Sequence, residues 1–190
     1  MKKWSDFEAK KTGSGREILP AGAYVCEIKS VKEESFDWGN KLAMMIEIIE
    51  GEYKDFWRRD YDNNTNDDRK WRGVFRIDIP KDDGTEQDSW TKRKFGNFIW
   101  AVQESNPGYV WAWDEKTLKG KKIGVIYRNF EWAIDGRTGW STEAGGAISV
   151  EDCRNGKFKM LPDRPLKDKD RPAPAQSIPD EVDSEDSLPF

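Results

Sequence analysis

From Gly22 the stretch "GAYVCEIKSVK" places Tyr24, Cys26 and Ile28 on one side and Glu27 and Lys29 on the other, which is the period of a strand buried on one face. "KLAMMIEIIEG" repeats it with Leu42, Met44, Ile46 and Ile48. The shorter "YKDFWRRDY", with Trp57, Arg59 and Tyr61 two apart, reads as a third strand. The turn residues of "DNNTNDD" make it one arm of a long polar hairpin. The other arm is "WRGVFRIDIP", where Phe75, Ile77 and Ile79 alternate with Arg76 and Asp78. The period changes once, in "TKRKFGNFIWAVQE" at 91–104. There Phe95, Phe98, Ile99 and Val102 fall at i, i+3, i+4 and i+7, one face of a helix that "NPG" at 106–108 ends. Gly96 inside it weakens the helix by about 1 kcal/mol against alanine.

Alternation returns in "TLKGKKIGVIYRNFEW". Ile123, Val125 and Tyr127 take the core side, and Arg128, Phe130 and Trp132 face outward. "DGRTG" at 135–139 is a hairpin turn, "WSTEAGGAIS" the returning strand, and "SVEDCRNGK" a short helix capped by Ser149 and closed by Gly156. Strands, one helix, then two strands is the order of a five-stranded Greek-key barrel. The expected fold is therefore mainly β, an OB-type barrel with its helix between the third and fourth strands. At 190 residues the chain is one domain with appendages. These are a flexible segment at 1–19, the barrel at 20–165 and a tail at 166–190.

Composition excludes much. Histidine is absent and Cys26 and Cys153 stand alone, so no zinc site, disulfide framework or histidine-based nucleophile is expected. No cofactor is expected. "DYDNNTNDD" puts Asp60, Asp62 and Asn64 at calcium-loop spacing, but Thr65 and Trp71 stand where glycine and a bidentate glutamate are needed. The strongest enzyme alternative is a metal-dependent nuclease using Asp78, Asp82, Asp83 and Glu86 near Lys92. No phosphate-binding glycine loop is present, because "EAGGAIS" lacks the lysine that would follow.

Ten tryptophans, nine phenylalanines and five tyrosines exceed what a chain only 36% hydrophobic needs for its core. They also sit beside cations, in "FWRRDY", "KWRGVFR", "WTKRKF" and "YRNFEW". Rings that stack on unpaired bases and cations that follow phosphates are what single-stranded nucleic acid requires, each stack contributing about 1–3 kcal/mol whatever the base. The candidate DNA-binding residues are Trp57, Arg59, Tyr61, Trp71, Arg76, Arg128, Phe130 and Trp132. Lys92, Arg93, Lys94, Lys121 and Lys122 are the candidates for phosphates. A non-enzymatic, sequence-tolerant single-stranded DNA-binding protein is the expected function, and an adaptor that binds only proteins is the other alternative.

The net charge of −4 is unevenly divided. "PAPAQSIPDEVDSEDSLPF" at 172–190 carries five of the 36 acids and no base, leaving 31 acids against 32 bases in residues 1–171. Such a proline-spaced acidic segment is expected to be disordered and to compete weakly with nucleic acid for the cationic body. Its end, with Asp183, Glu185 and Asp186 before Leu188, Pro189 and Phe190, reads as a docking peptide for a partner protein. "SEDSLPF" resembles the acidic C-terminal tip of bacterial single-stranded DNA-binding proteins, with Ser187 as a departure between the acids and Leu188. The body, through "GAYVCEIKSV" and "SVEDCRNGKFKMLPD", resembles the OB-fold single-stranded DNA-binding proteins encoded by phages. That resemblance implies a role in replication, recombination or repair, with polymerase, helicase, nuclease or recombinase partners recruited by the tip. No apolar run reaches the roughly 18 residues of a membrane span, and "MKKWSDFEAKK" lacks the apolar centre of a secretion signal. A cytoplasmic location, inside a host cell for a phage protein, is expected, and a homo-oligomer is compatible with the sequence.

Overall fold

The computed structural model describes residues 17–171. Two long strands, β1 (Gly22–Phe36) and β2 (Gly39–Ile48), form the first hairpin, followed by the helix α1 (Phe56–Asp62) and the short strand β3 (Val74–Asp78). The long helix α2 (Glu86–Ser105) comes next. A second long hairpin, β4 (Lys122–Ile134) and β5 (Arg137–Ile148), then precedes α3 (Val150–Arg154). The strands make one five-stranded sheet in the order β3-β2-β1-β4-β5, every neighbouring pair antiparallel.

The alternation in the sequence is the alternation of the sheet. Cys26, Ile28, Met44, Ile46, Ile48, Ile123 and Val125 are fully buried in one core. The period slips where the pairing of β1 with β2 shifts between Ile28 and Ser30. This irregularity moves the inward set so that Val31, and not Ser30, packs on the core. α2 starts five residues earlier than the apolar period indicates, because Thr85 caps it by accepting from the Asp88 N–H at 3.1 Å. Its Phe98, Ala101 and Val102 are buried. Phe98 meets Phe75 of β3 edge-on at 6.1 Å, and Asn97 donates to the Ala147 carbonyl of β5 at 3.0 Å. One helix is thus fastened to both edge strands of the sheet. The short helix α3 is capped as expected, with Ser149 accepting from the Asp152 N–H at 3.0 Å and Gly156 at φ 67° beyond its end.

The third strand expected at "YKDFWRRDY" is instead α1. Two features bend the chain into it. Asp55 adopts a left-handed φ of 59°, and the carboxylate of Glu47, on β2, accepts the N–H groups of Trp57 at 3.1 Å and Arg58 at 2.8 Å. Glu47 therefore satisfies the first turn from another element, and Asp55 makes no side-chain cap. The polar hairpin is corrected with it, since β3 pairs with β2 through Leu42↔Ile77 and Met44↔Phe75.

Beyond α3 the chain runs back along β4, on the edge away from β5. Arg164 donates to the Asn129 carbonyl and accepts from the Glu131 N–H, both at 2.9 Å. The Glu131 carboxylate receives the Leu166 N–H at 3.0 Å and Arg171 at 3.1 Å. Residues 166–171, which the sequence groups with the tail, thus make specific bonds to the sheet. The rest of the tail and its tip, Asp183, Glu185, Asp186, Leu188, Pro189 and Phe190, lie outside the described residues. Among those described, no helix is long and apolar enough to cross a membrane.

Candidate functional site

The edge strands β3 and β5 border a groove of about 630 Å³. Its walls carry Trp71, Arg72 and Arg76 on one side, with Arg128 and Phe130 of β4, residues 141–145 of β5 and Arg164 on the other. Arg76 and Gly145 also line an adjoining recess of about 570 Å³, where α2 adds Trp90, Arg93 and Lys94. The two adjoin at those shared residues. Gly145 packs directly against Leu161, since a Cβ there would stand 2.8 Å from that side chain.

The rings are held in defined poses. The Trp71 indole N–H lies between the carbonyls of Ile46 at 3.2 Å and Gly73 at 3.1 Å. Phe130 is half-buried beneath the Arg164 guanidinium, 5.4 Å from its ring centre. Trp90 is 47% exposed with the Lys94 ammonium 3.6 Å above it, and burial lowers the Lys94 pKa.

The cations that line the groove of about 630 Å³ itself, Lys41, Arg72, Arg76, Arg128 and Arg164, each have a carboxylate partner. Arg76 donates from Nε to Glu34 at 2.9 Å, and Arg76, then Lys32, hold the Glu34 carboxyl down to about 2. Arg128 and Arg164 both bond Glu143, at 2.9 Å each. Lys41 pairs with Asp78 at 3.1 Å, and Arg72 lies 3.9 Å from Asp60. A guanidinium has five N–H donors, so this pairing fixes the arginine planes while leaving donors for a bidentate anion.

The candidate residues divide accordingly. Trp71, Arg76, Arg93, Lys94, Arg128 and Phe130 converge on the groove and its recess. Trp57 also borders it, but is only 5% exposed and stacked on Tyr127 at 6.0 Å. The expected exposed face of Trp57, Arg59 and Tyr61 is corrected: on a helix, residues two apart do not share a side. Arg59 turns back to the Lys54 carbonyl, and Tyr61 is covered by the Arg69 guanidinium at 4.7 Å. Lys92 is held by Asp82 and Asp88, whose hydrogen bonds raise its pKa. Lys121 lies 4.6 Å over the Tyr109 ring, Lys122 is exposed beside it at the start of β4, and neither lines the groove. The Trp132 ring packs so closely on Gly139 that a Cβ there would be 2.5 Å away.

Arg72, Arg164, Lys41 and Trp90 complete the groove and were not among the candidates. Arg72 and Trp90 sit inside quoted aromatic-basic runs, so the signal was present. Arg164 reaches the groove only through the backbone bridge to Phe130. Phe36 and Trp38, stacked at 4.9 Å on the tip of the first hairpin, are 42% and 58% exposed. Among the described residues no three His, Cys, Asp or Glu side chains come together as a metal site. Asp83 is spent on Thr85, accepting its N–H at 3.0 Å. No family model matches the chain, and no curated protein matches it either.

Proposed function

We propose that the chain is a non-enzymatic single-stranded DNA-binding protein of OB type, which tracks a strand along the groove between β3 and β5. The observation that carries this reading is the convergence of Trp71, Phe130 and Trp90 with Arg72, Arg76, Arg93, Arg128 and Arg164 on two adjoining grooves. Flat rings beside oriented cations suit bases and phosphates in alternation and select no sequence. Support for an OB-type barrel comes from the strand order, the helix after β3, and a core that α2 shares with both edge strands. In this reading the acidic residues 172–190 compete for the groove and their end recruits a replication or recombination protein.

The test is tryptophan fluorescence on titration with oligo-dT, for the full chain and for a chain ending at Arg171, at two salt concentrations. Quenching that weakens with salt, and is tighter without residues 172–190, is the expected result. Absence of quenching and of retention on DNA at low salt would overturn the reading and leave a protein-binding adaptor in its place.

A further inference from the structure

A second groove, of about 680 Å³, opens between α2 and the loop that follows it, and shares no lining residue with the cationic path. Phe95, Ile99 and Trp111 form its apolar lining, with Trp100 and Trp113 exposed at 49% and 83%. Its size falls in the range of about 300–1,000 Å³ typical of binding pockets. Its charged lining is acidic: Glu33, Asp82 and Glu115 stand against Lys92 alone, and Lys92 already bonds Asp82 and Asp88. Two further features are unfavourable in an uncovered groove. Trp113 holds a left-handed φ of 62° while exposing its ring, and the buried indole N–H of Trp111 has no acceptor among the described residues.

The chain has two segments outside the described residues, and charge separates them. Residues 172–190 carry five acids and no base and are repelled by this rim. Residues 1–16, "MKKWSDFEAKKTGSGR", carry Lys2, Lys3, Lys10, Lys11 and Arg16 against Asp6 and Glu8, with Trp4 and Phe7 three apart. Leu19 anchors this segment in the core, 1% exposed and with Thr142 donating to its carbonyl at 2.7 Å. From Leu19 the fifteen residues to Trp4 span at most about 50 Å, against a radius of gyration of about 15 Å for a domain this size. A tether of that length gives an effective concentration on the order of millimolar, favouring the chain's own groove over that of a second copy.

We infer that residues 1–11 dock in the groove of their own domain, Trp4 and Phe7 entering the apolar lining and the lysines facing Glu33 and Glu115. Since Glu17, Ile18 and Leu19 line the cationic groove, the docked segment links the two grooves. This inference does not rest on the DNA-binding proposal.

The test places p-benzoylphenylalanine in place of Phe7 in the full chain, mixes nitrogen-15-labelled and unlabelled protein, and maps photo-crosslinks by mass spectrometry. The expected crosslinks fall in residues 95–115 of the same chain. They should drop about five- to tenfold on combining Glu33→Lys with Glu115→Lys, and drop again in about 1 M salt, where the Debye length is about 3 Å. Trp113→Ala, at an exposed position, should reduce them without affecting folding. Crosslinks elsewhere, or none, would overturn the inference. Predominantly mixed-isotope crosslinks would overturn it in favour of docking between two copies.

Discussion

Arg128 donates from Nε to Glu143 at 2.9 Å, and the other oxygen of that carboxylate takes Arg164 Nη2 at the same distance. A single carboxylate thus holds together two cations, one from β4 and one from the returning chain. Glu143 sets how much positive charge the groove presents to a phosphate. Glu143→Gln should tighten oligo-dT binding about threefold at low salt, the scale of one exposed ion pair. It should also steepen the salt dependence by about 0.7 in log–log slope, one phosphate contact on a single strand. A salt series on the variant and the parent protein measures both.

Neighbouring rings should respond in opposite ways. Phe130 is half-buried on the groove wall under Arg164, so Phe130→Ala should lose about 1–3 kcal/mol of binding to single-stranded DNA with little change in stability. Trp57 is 5% exposed and packed on Phe56 and Tyr127. Trp57→Ala should cost about 3–5 kcal/mol of folding free energy, lowering Tm by roughly 10 °C. Titration and thermal melts of the two variants separate the roles.

That contrast marks where the sequence stops being informative. β1, β2 and β4 were legible because burial on one face imposes alternation over many residues, and α2 because four apolar residues hold the helical period. Trp57 and Trp71 look alike locally, each beside an arginine. What separates them is Glu47, which caps α1 from another element and turns "FWRRDY" from strand to helix. The pairing shift in β1 was equally hidden, because one displaced residue leaves no mark in composition. Most of the groove's rings and cations lie in aromatic-basic runs. Arg164 does not, and its place depends on a backbone pairing with β4 that no local pattern encodes.

Gly73 is required by packing. A Cβ there would lie 2.5 Å from the Trp57 ring and 2.6 Å from the Ile46 carbonyl oxygen, and the Gly73 carbonyl accepts both the Ile46 N–H at 2.8 Å and the Trp71 indole. Gly73→Ala should therefore destabilise the protein by about 1–3 kcal/mol and alter the tryptophan bands in near-ultraviolet circular dichroism. Gly96 is the converse. It lies within α2, and a Cβ added there would point into open space, so Gly96→Ala should stabilise by roughly 1 kcal/mol in urea unfolding.

Glu47 gives the fold a pH signature. It is 2% exposed and accepts the N–H groups of Ile48, Trp57 and Arg58. Burial raises its pKa above 4.5, and the bonds from Trp57, Ile48 and Arg58 pull it partly back. With the native value above the unfolded one, the native state keeps a proton that the unfolded chain has lost. The contribution of Glu47 to stability is therefore full below the unfolded pKa and is lost as pH rises through the native one. Glu47→Gln removes that pH dependence. It also sets an amide N–H2 against the Arg58 N–H, which the Oε2 atom now satisfies, at a cost of about 1–3 kcal/mol. Urea unfolding from pH 4 to 7 should show the variant less stable than the parent throughout, with the gap narrowing as pH rises. A gap that widened with pH would mean that the native carboxyl ionises below the unfolded one, and that its three N–H partners outweigh burial.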